Sequence, residues 1–180
     1  MNLNGIAANM TGLNGEVIAF LNIFIVLVLV VVILGYIFES LAIYRIMKNR
    51  NLDNAFLAWI PIASYYAIGK VYDDINEKQG KKTNFSIILL ILGAISWLPS
   101  SLYMPAIASG IFSILLTYTV LVLILICFKL IFKTYAPNNS SYFILSVIFS
   151  FIPIAPFIPG LCLLKVSKNK PVSETSETKD

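Results

Sequence analysis

Residues 17–38 form an apolar run of 22 residues without a charge, and this run restricts the fold more than any other feature. A helix of this length covers about 30 Å at 1.5 Å per residue, which is the thickness of the hydrocarbon layer of a bilayer. The run is rich in Ile, Val and Leu, which favour strands in water. In lipid, however, the backbone must satisfy its own hydrogen bonds, and a helix does this within one segment. The run therefore predicts a transmembrane helix.

The composition extends this prediction to the whole chain. Hydrophobic residues make up 58% of the 180 residues and charged residues only 12%, whereas soluble domains usually carry about 25% charged residues. The apolar residues fall in long runs and not in half-buried stripes. We therefore predict a multi-pass, all-α integral membrane protein with one membrane domain.

Three segments are predicted as full transmembrane helices, residues 17–44, 84–98 and 106–128. Two shorter segments, 54–71 and 142–164, contain prolines, which break a helix interior because they lack a backbone donor. We expect each of these two to be re-entrant or interfacial, and the alternative is that they cross the membrane, which gives four to five spans. A non-helical break at membrane depth needs cover from protein or from a water-filled cavity.

The other segments are predicted from their polarity. Residues 1–16 are expected to be an outer N-terminal segment, 17–170 the membrane domain, and 171–180 a disordered cytoplasmic tail. Residues 71–83 hold six charged side chains and are expected to be a solvated loop.

The basic residues predict the orientation, because Lys and Arg near short loops remain on the cytoplasmic side. If the N-terminus is outside and neither proline-containing segment crosses, all 13 Lys and Arg lie inside. The outer segments 1–16 and 99–105 then carry none. The charge pattern thus favours three full spans and two partial ones, in a plasma membrane, with the C-terminus in the cytoplasm.

The tetrapeptide Ile-Pro-Ile-Ala occurs at residues 60–63 and again at 152–155, each time after an apolar helix with a basic end. This arrangement suggests a parallel internal repeat. Paired proline-interrupted segments in corresponding halves are the usual sequence indication of a transport site. The candidate functional residues are those of the two segments and one acidic residue near the end of the first helix: Trp59, Pro61, Tyr66, Gly69, Lys70, Pro153, Pro156 and Glu39.

Glu39 has two interpretations. It is either an interfacial carboxylate beside the basic cluster at the end of the first helix, or a buried carboxylate in an ion or proton path. The second interpretation follows from the cost of placing acids within a membrane, where they are rare and often functional.

Several function classes are disfavoured by what the sequence lacks. It has no histidine, which is the commonest general base and transition-metal ligand. Cys127 and Cys162 lie in apolar runs without a neighbour at ligand spacing, so we predict no disulfide and no metal site. No nucleophile elbow or phosphate-binding loop occurs. We therefore predict no enzyme activity and no cofactor. The net charge is +4, but the basic residues flank apolar runs, which is their usual place at a cytoplasmic membrane face, so this charge does not predict nucleic-acid binding.

The segment Ala58-Trp59-Ile60-Pro61-Ile62, followed by Tyr66, Gly69 and Lys70, resembles a group of small multi-pass membrane proteins of Gram-positive bacteria. That group carries an A-W-[IF]-P-[IV] segment, a tyrosine and a G-[KR] pair after a basic helix end. The proline-rich end from Pro153 to Lys170 is also similar. The resemblance covers about 100 residues and implies only the architecture and a bacterial plasma membrane.

These observations favour a non-catalytic accessory, scaffold or protective membrane protein, with immunity to a membrane-active peptide as one example. The expected partners are the lipid bilayer and another membrane protein or a second copy of the chain. The alternative is an oligomeric transporter or channel for a small solute or ion, in which the two proline-broken segments form the pathway.

Overall fold

The structure is a computed structural model that describes residues 3–98, 106–150, 157–169 and 171, and in these parts the chain is helical and has no strand. Six α-helices and one 3-10 helix occur in the order α1 (Leu3–Asn49), 3-10 (Ala55–Trp59), α2 (Pro61–Glu77), α3 (Phe85–Trp97), α4 (Ala106–Tyr135), α5 (Ser140–Ser150) and α6 (Phe157–Val166). The second Ile-Pro-Ile-Ala segment and residues 172–180 lie outside the described residues.

Two helices in the described part, within α1 and α4, are long and apolar enough to cross a membrane by length and composition. They comprise Gly15–Asn49 and Gly110–Tyr135. Of the three predicted spans, two therefore correspond to helices of sufficient length and apolar character. α3 lies where its helix was predicted but has 13 residues, so it is about 20 Å long and too short for a full span.

Both long helices extend beyond their predicted limits. α1 begins at Leu3 and not at residue 17, so the predicted outer segment is helical over most of its length. Adding a residue to an existing helix gains a hydrogen bond for each residue fixed, which favours such an extension in a stretch without proline. α4 runs on to Tyr135 because Ile131, Phe132 and Tyr135 are buried against the other helices.

The hydrophobic core lies around the C-terminal part of α1. Ala42, Ile43, Ile46 and Met47 are at most 1% exposed. α6 packs against this part of α1, α2 packs against α3, and α4 contacts α2, α3, α5 and α6. The bundle is therefore closed at the end where α1 and α4 carry their basic residues.

Glycines permit the closest helix contacts. A Cβ atom at Gly69 on α2 would lie 2.4 Å from the Cα of Ser86 on α3. A Cβ atom at Gly160 on α6 would lie 2.9 Å from the carbonyl oxygen of Gly35 on α1. Small residues let helix backbones approach in this way, which increases the dispersion contact between them.

Asp73 on α2 fixes the start of α3. Its carboxylate accepts hydrogen bonds from the Thr83 hydroxyl (2.6 Å), the Phe85 N–H (2.8 Å), and the Ser86 N–H (2.9 Å) and hydroxyl (2.7 Å). The first N–H groups of a helix have no partner within it, so a carboxylate from a neighbouring helix satisfies them and also interacts favourably with the helix dipole.

The prediction of a solvated loop at residues 71–83 is therefore wrong for its first half. α2 continues to Glu77, and Val71 and Ile75 are at most 2% exposed. The charged side chains of this stretch occupy one side of the helix, while its apolar side packs in the core. Local polarity alone did not distinguish this amphipathic end from a loop.

We expect Gly69→Ala to lower the free energy of unfolding by about 1–3 kcal/mol, because the new methyl group collides with the Ser86 backbone and forces α2 and α3 apart. Gly110→Ala on α4 is the matched control, since a Cβ there meets nothing within 4 Å. Thermal unfolding of both variants in one detergent measures the difference. Equal midpoints for Gly69→Ala and the unchanged protein would contradict the close contact.

Candidate functional site

A cavity of about 210 Å³ lies between α1, the 3-10 helix, α2, α3 and α4. α1 contributes Tyr36 and Glu39, and α2 contributes Pro61 and Tyr65. Trp97, from the last turn of α3, also lines it. The cavity thus brings together two of the predicted candidates, Glu39 and Pro61, which are distant in the sequence.

The chain break at Pro61 shapes one wall of this cavity. The 3-10 helix ends at Trp59, Ile60 is extended (φ −100°, ψ 118°), and Pro61 stands in the first turn of α2. Proline is favoured there because its missing N–H has no partner in a helix start. The prediction of a proline-broken segment is confirmed, but Pro61 begins a helix and does not interrupt one.

The carbonyl groups at this break are partly satisfied by hydroxyl groups of the cavity wall. The Tyr36 hydroxyl donates to the Trp59 carbonyl at 2.7 Å, and the Ser64 hydroxyl donates to the Pro61 carbonyl at 2.7 Å. Each bond occupies one of the two lone pairs of its carbonyl oxygen. The carbonyl groups at the break are therefore partly used within the fold and are less available to a bound ion.

Glu39 is the acidic residue of the cavity and is half-buried. Its side chain forms neither a hydrogen bond nor an ion pair with any residue that the structure describes. The cavity lining contains neither Lys nor Arg. A carboxylate with no cation beside it, in a mostly apolar wall, is an attractive position for a positively charged ligand.

The other predicted residues lie elsewhere. Tyr66 and Lys70 line a separate polar groove of about 370 Å³ with Asp73, Glu77 and Lys82. The Trp59 side chain is 42% exposed, and Gly69 serves helix packing. Pro153 and Pro156 lie outside the described residues, so the internal repeat remains a prediction.

The sequence analysis missed a buried ion pair at the basic end of the bundle. The Arg50 guanidinium, 2% exposed, donates to the carboxylate of Asp74, 16% exposed. It also donates to the Tyr135 hydroxyl at 3.5 Å. The Asn169 side chain donates to the Tyr135 carbonyl at 3.1 Å. These contacts join the ends of α1 and α4 to α2 and to the residues after α6.

The network holds Arg50 in its charged form. Burial lowers the pKa of Arg50, but the hydrogen bonds to Tyr135 and Asp74 outweigh this effect and raise the pKa above its ordinary value. A separation of 24 residues between Arg50 and Asp74 gives no local signal for the pair. The one indication in the sequence was Arg50 itself, a charged residue at the end of a long, largely apolar helix.

Cys127 is buried, Cys162 is partly buried, and both are free thiols. No group of three His, Cys, Asp or Glu side chains suited to a metal occurs in the part of the chain that was described. Comparison with known proteins gives no match to a family model, to a curated protein or to a solved structure.

We expect Asp74→Asn to lower the free energy of unfolding by about 3–5 kcal/mol, because it leaves the buried Arg50 charge without its counter-ion. Asp53→Asn is the matched control, since Asp53 is exposed. The double variant Arg50→Met/Asp74→Leu should recover most of the loss, since it removes both charges. Denaturation in detergent measures all three, and equal stability of Asp74→Asn and Asp53→Asn would contradict the role of the pair.

Proposed function

We propose that this chain is an integral plasma-membrane protein that acts without catalysis as an accessory, scaffold or protective component. The observation that carries the proposal is the exposure of α1. Every residue described from Gly15 to Leu34 is exposed, except the half-buried Val28 and Val31. From Gly35 onward one side of the same helix is packed in the core, with Ala42, Ile43, Ile46 and Met47 buried.

An apolar surface on all sides of a helix has a simple physical consequence. Burial of apolar surface is worth about 25 cal/mol per Å², so this helix requires either lipid or other apolar helices around it. A helix that is hydrophobic all round belongs in a membrane or in the centre of a large assembly. In the proposal, the outer part of α1 lies in lipid and presents its surface to partners.

The positions of the basic residues support the predicted orientation. The Arg50–Tyr135 hydrogen bond joins the C-terminal ends of α1 and α4. Lys48 stands in the last turn of α1 and Lys133 in the last turn of α4. Both long helices thus carry basic residues at the same end of the bundle, which is the arrangement expected at a cytoplasmic face.

Asn22 indicates the partner of this surface. It is exposed within the apolar part of α1, and its amide has two donors and an acceptor that lipid cannot satisfy. A second copy of α1 supplies the same amide at the same depth, and amide side chains hydrogen-bond between transmembrane helices. We therefore propose self-association through the face of α1 that carries Asn22.

Asn22→Leu is expected to weaken self-association in lipid vesicles by about fivefold, which corresponds to about 1 kcal/mol for the amide contact. Energy transfer between donor- and acceptor-labelled copies, followed as lipid is added, measures the association. Asn22→Leu/Val26→Asn returns the amide to the same face one turn later and should restore association. Asn22→Leu/Phe24→Asn places it on the opposite face and should not. Unchanged association of Asn22→Leu would overturn the assignment of this face.

A second candidate function is transport of a small cationic solute by an oligomer of this chain. The observation in its favour is the shared cavity of Glu39 and Pro61. An oligomer is required because two long helices in the described part do not enclose a pathway.

For this second function, Glu39→Gln should abolish uptake of small cations by vesicles that contain the protein, because the variant removes the charge that attracts them. Glu16→Gln on the same helix is the control and should leave uptake unchanged, since Glu16 is exposed and lies far from the cavity. Equal uptake by empty and protein-containing vesicles for a panel of inorganic and organic cations would overturn the transport proposal.

A further inference from the structure

We propose that the Glu39 cavity is a binding site for a small organic monocation, namely an ammonium ion with apolar substituents. The inference deepens the transport proposal and rests on it for the physiological role of the site. The binding itself is a property of the cavity and is tested separately.

The charge of the site is unbalanced. Glu39 presents the one carboxylate of the cavity lining, and no described residue pairs with it. A carboxyl group away from bulk water either takes up a proton or pairs with a cation, because its unpaired ionised form is costly. A single monovalent cation in the cavity balances this charge, whereas a divalent cation does not.

The donor set does not suit a metal ion. Ca²⁺ takes six to eight oxygen ligands and Mg²⁺ six in near-octahedral geometry. Beside the Glu39 carboxylate, the side chains of the lining offer only neutral oxygens, the hydroxyls of Tyr36, Ser40, Ser64 and Tyr65, so a divalent metal ion would find a single charged ligand there. The apolar part of the cavity wall includes the side chains of Ile43, Ile68 and Ile124. One carboxylate in a largely apolar cavity fits a cation that carries its own apolar groups.

Aromatic side chains line the same cavity as Glu39. Tyr65 and Trp97 line the cavity with Tyr36, and a cation over an aromatic face gains attraction from the ring quadrupole, most strongly with Trp. The Tyr65 ring lies directly against Gly93, where a Cβ atom would meet its Cδ2 at 2.2 Å. Gly93 therefore positions this ring, because any side chain there would displace it.

The cavity has room and an entrance. Its volume of about 210 Å³ is several times the roughly 30 Å³ that one water occupies in the liquid. A wider groove of about 500 Å³ along α3 and α4 shares Tyr65, Trp97 and Ile124 with it. The two spaces adjoin at these three side chains, so the proposal assigns the groove between α3 and α4 as the route of entry.

The test is calorimetric titration of the purified chain in detergent with two probes of the same shape. Choline carries the charge, and 3,3-dimethyl-1-butanol replaces its nitrogen by carbon and is neutral. We expect choline to bind at least about tenfold more tightly than the alcohol, a ratio equivalent to about 1.4 kcal/mol. Equal affinities, or no binding of either probe, would overturn the inference.

Three variants locate the binding. Glu39→Gln should weaken choline binding about tenfold or more, and Glu16→Gln should leave it unchanged. Trp97→Leu, at a ring that is 57% exposed and so has little part in folding, should weaken it about threefold. Thermal unfolding checks that each variant is folded. If Glu39→Gln does not fold, Trp97→Leu tests the site instead, and unchanged choline binding by that variant would overturn the inference. A folded Glu39→Gln that binds as the unchanged protein does would overturn the inference, as would displacement of choline by an equal concentration of K⁺.

The two proposals fail separately. Choline binding that depends on Glu39, without uptake of any cation into vesicles, supports the site and overturns transport. Uptake that requires Glu39 for inorganic cations alone, without choline binding, overturns the organic-cation site and leaves transport in place.

Discussion

Arg50 carries a guanidinium that is almost entirely removed from solvent, and the closed end of the bundle is arranged around it. A buried charge of this kind is tolerated only with a counter-ion and with partners for its remaining donors. Asp74 supplies the counter-ion, and the Tyr135 hydroxyl accepts a further hydrogen bond from the guanidinium. Because these groups come from α2 and α4, the charge at the end of α1 fixes the relative positions of three helices.

The opposite part of α1 is under no such constraint. The hydrophobic core ends near Gly35, and from Gly15 to Leu34 every residue except the half-buried Val28 and Val31 is exposed. The molecule thus combines one end held by charge pairing and burial with an apolar helix that is available to lipid or to another chain. The proposed scaffold role uses this division, with the packed end maintaining the fold and the exposed helix left for association.

The Glu39 cavity lies between these two regions. Gly35 and Gly160 bring α1 and α6 into contact beside it, and Gly93 makes space for the Tyr65 ring in its wall. The absence of a side chain at these glycines therefore explains both the close approach of α1 and α6 and the space that the Tyr65 ring occupies.

The sequence by itself determined the features that depend on neighbouring residues. The apolar runs predicted α1 and α4, the position of α3 was correct, and Pro61 marked a true chain break, because helix length and proline geometry are local properties. Only the tertiary structure decided that Asp73 caps α3, that Asp74 pairs with Arg50 and that Glu39 and Trp97 line one cavity. Each of these depends on groups from different helices, and their distance is set by packing across the bundle and not by the residues beside them in the chain.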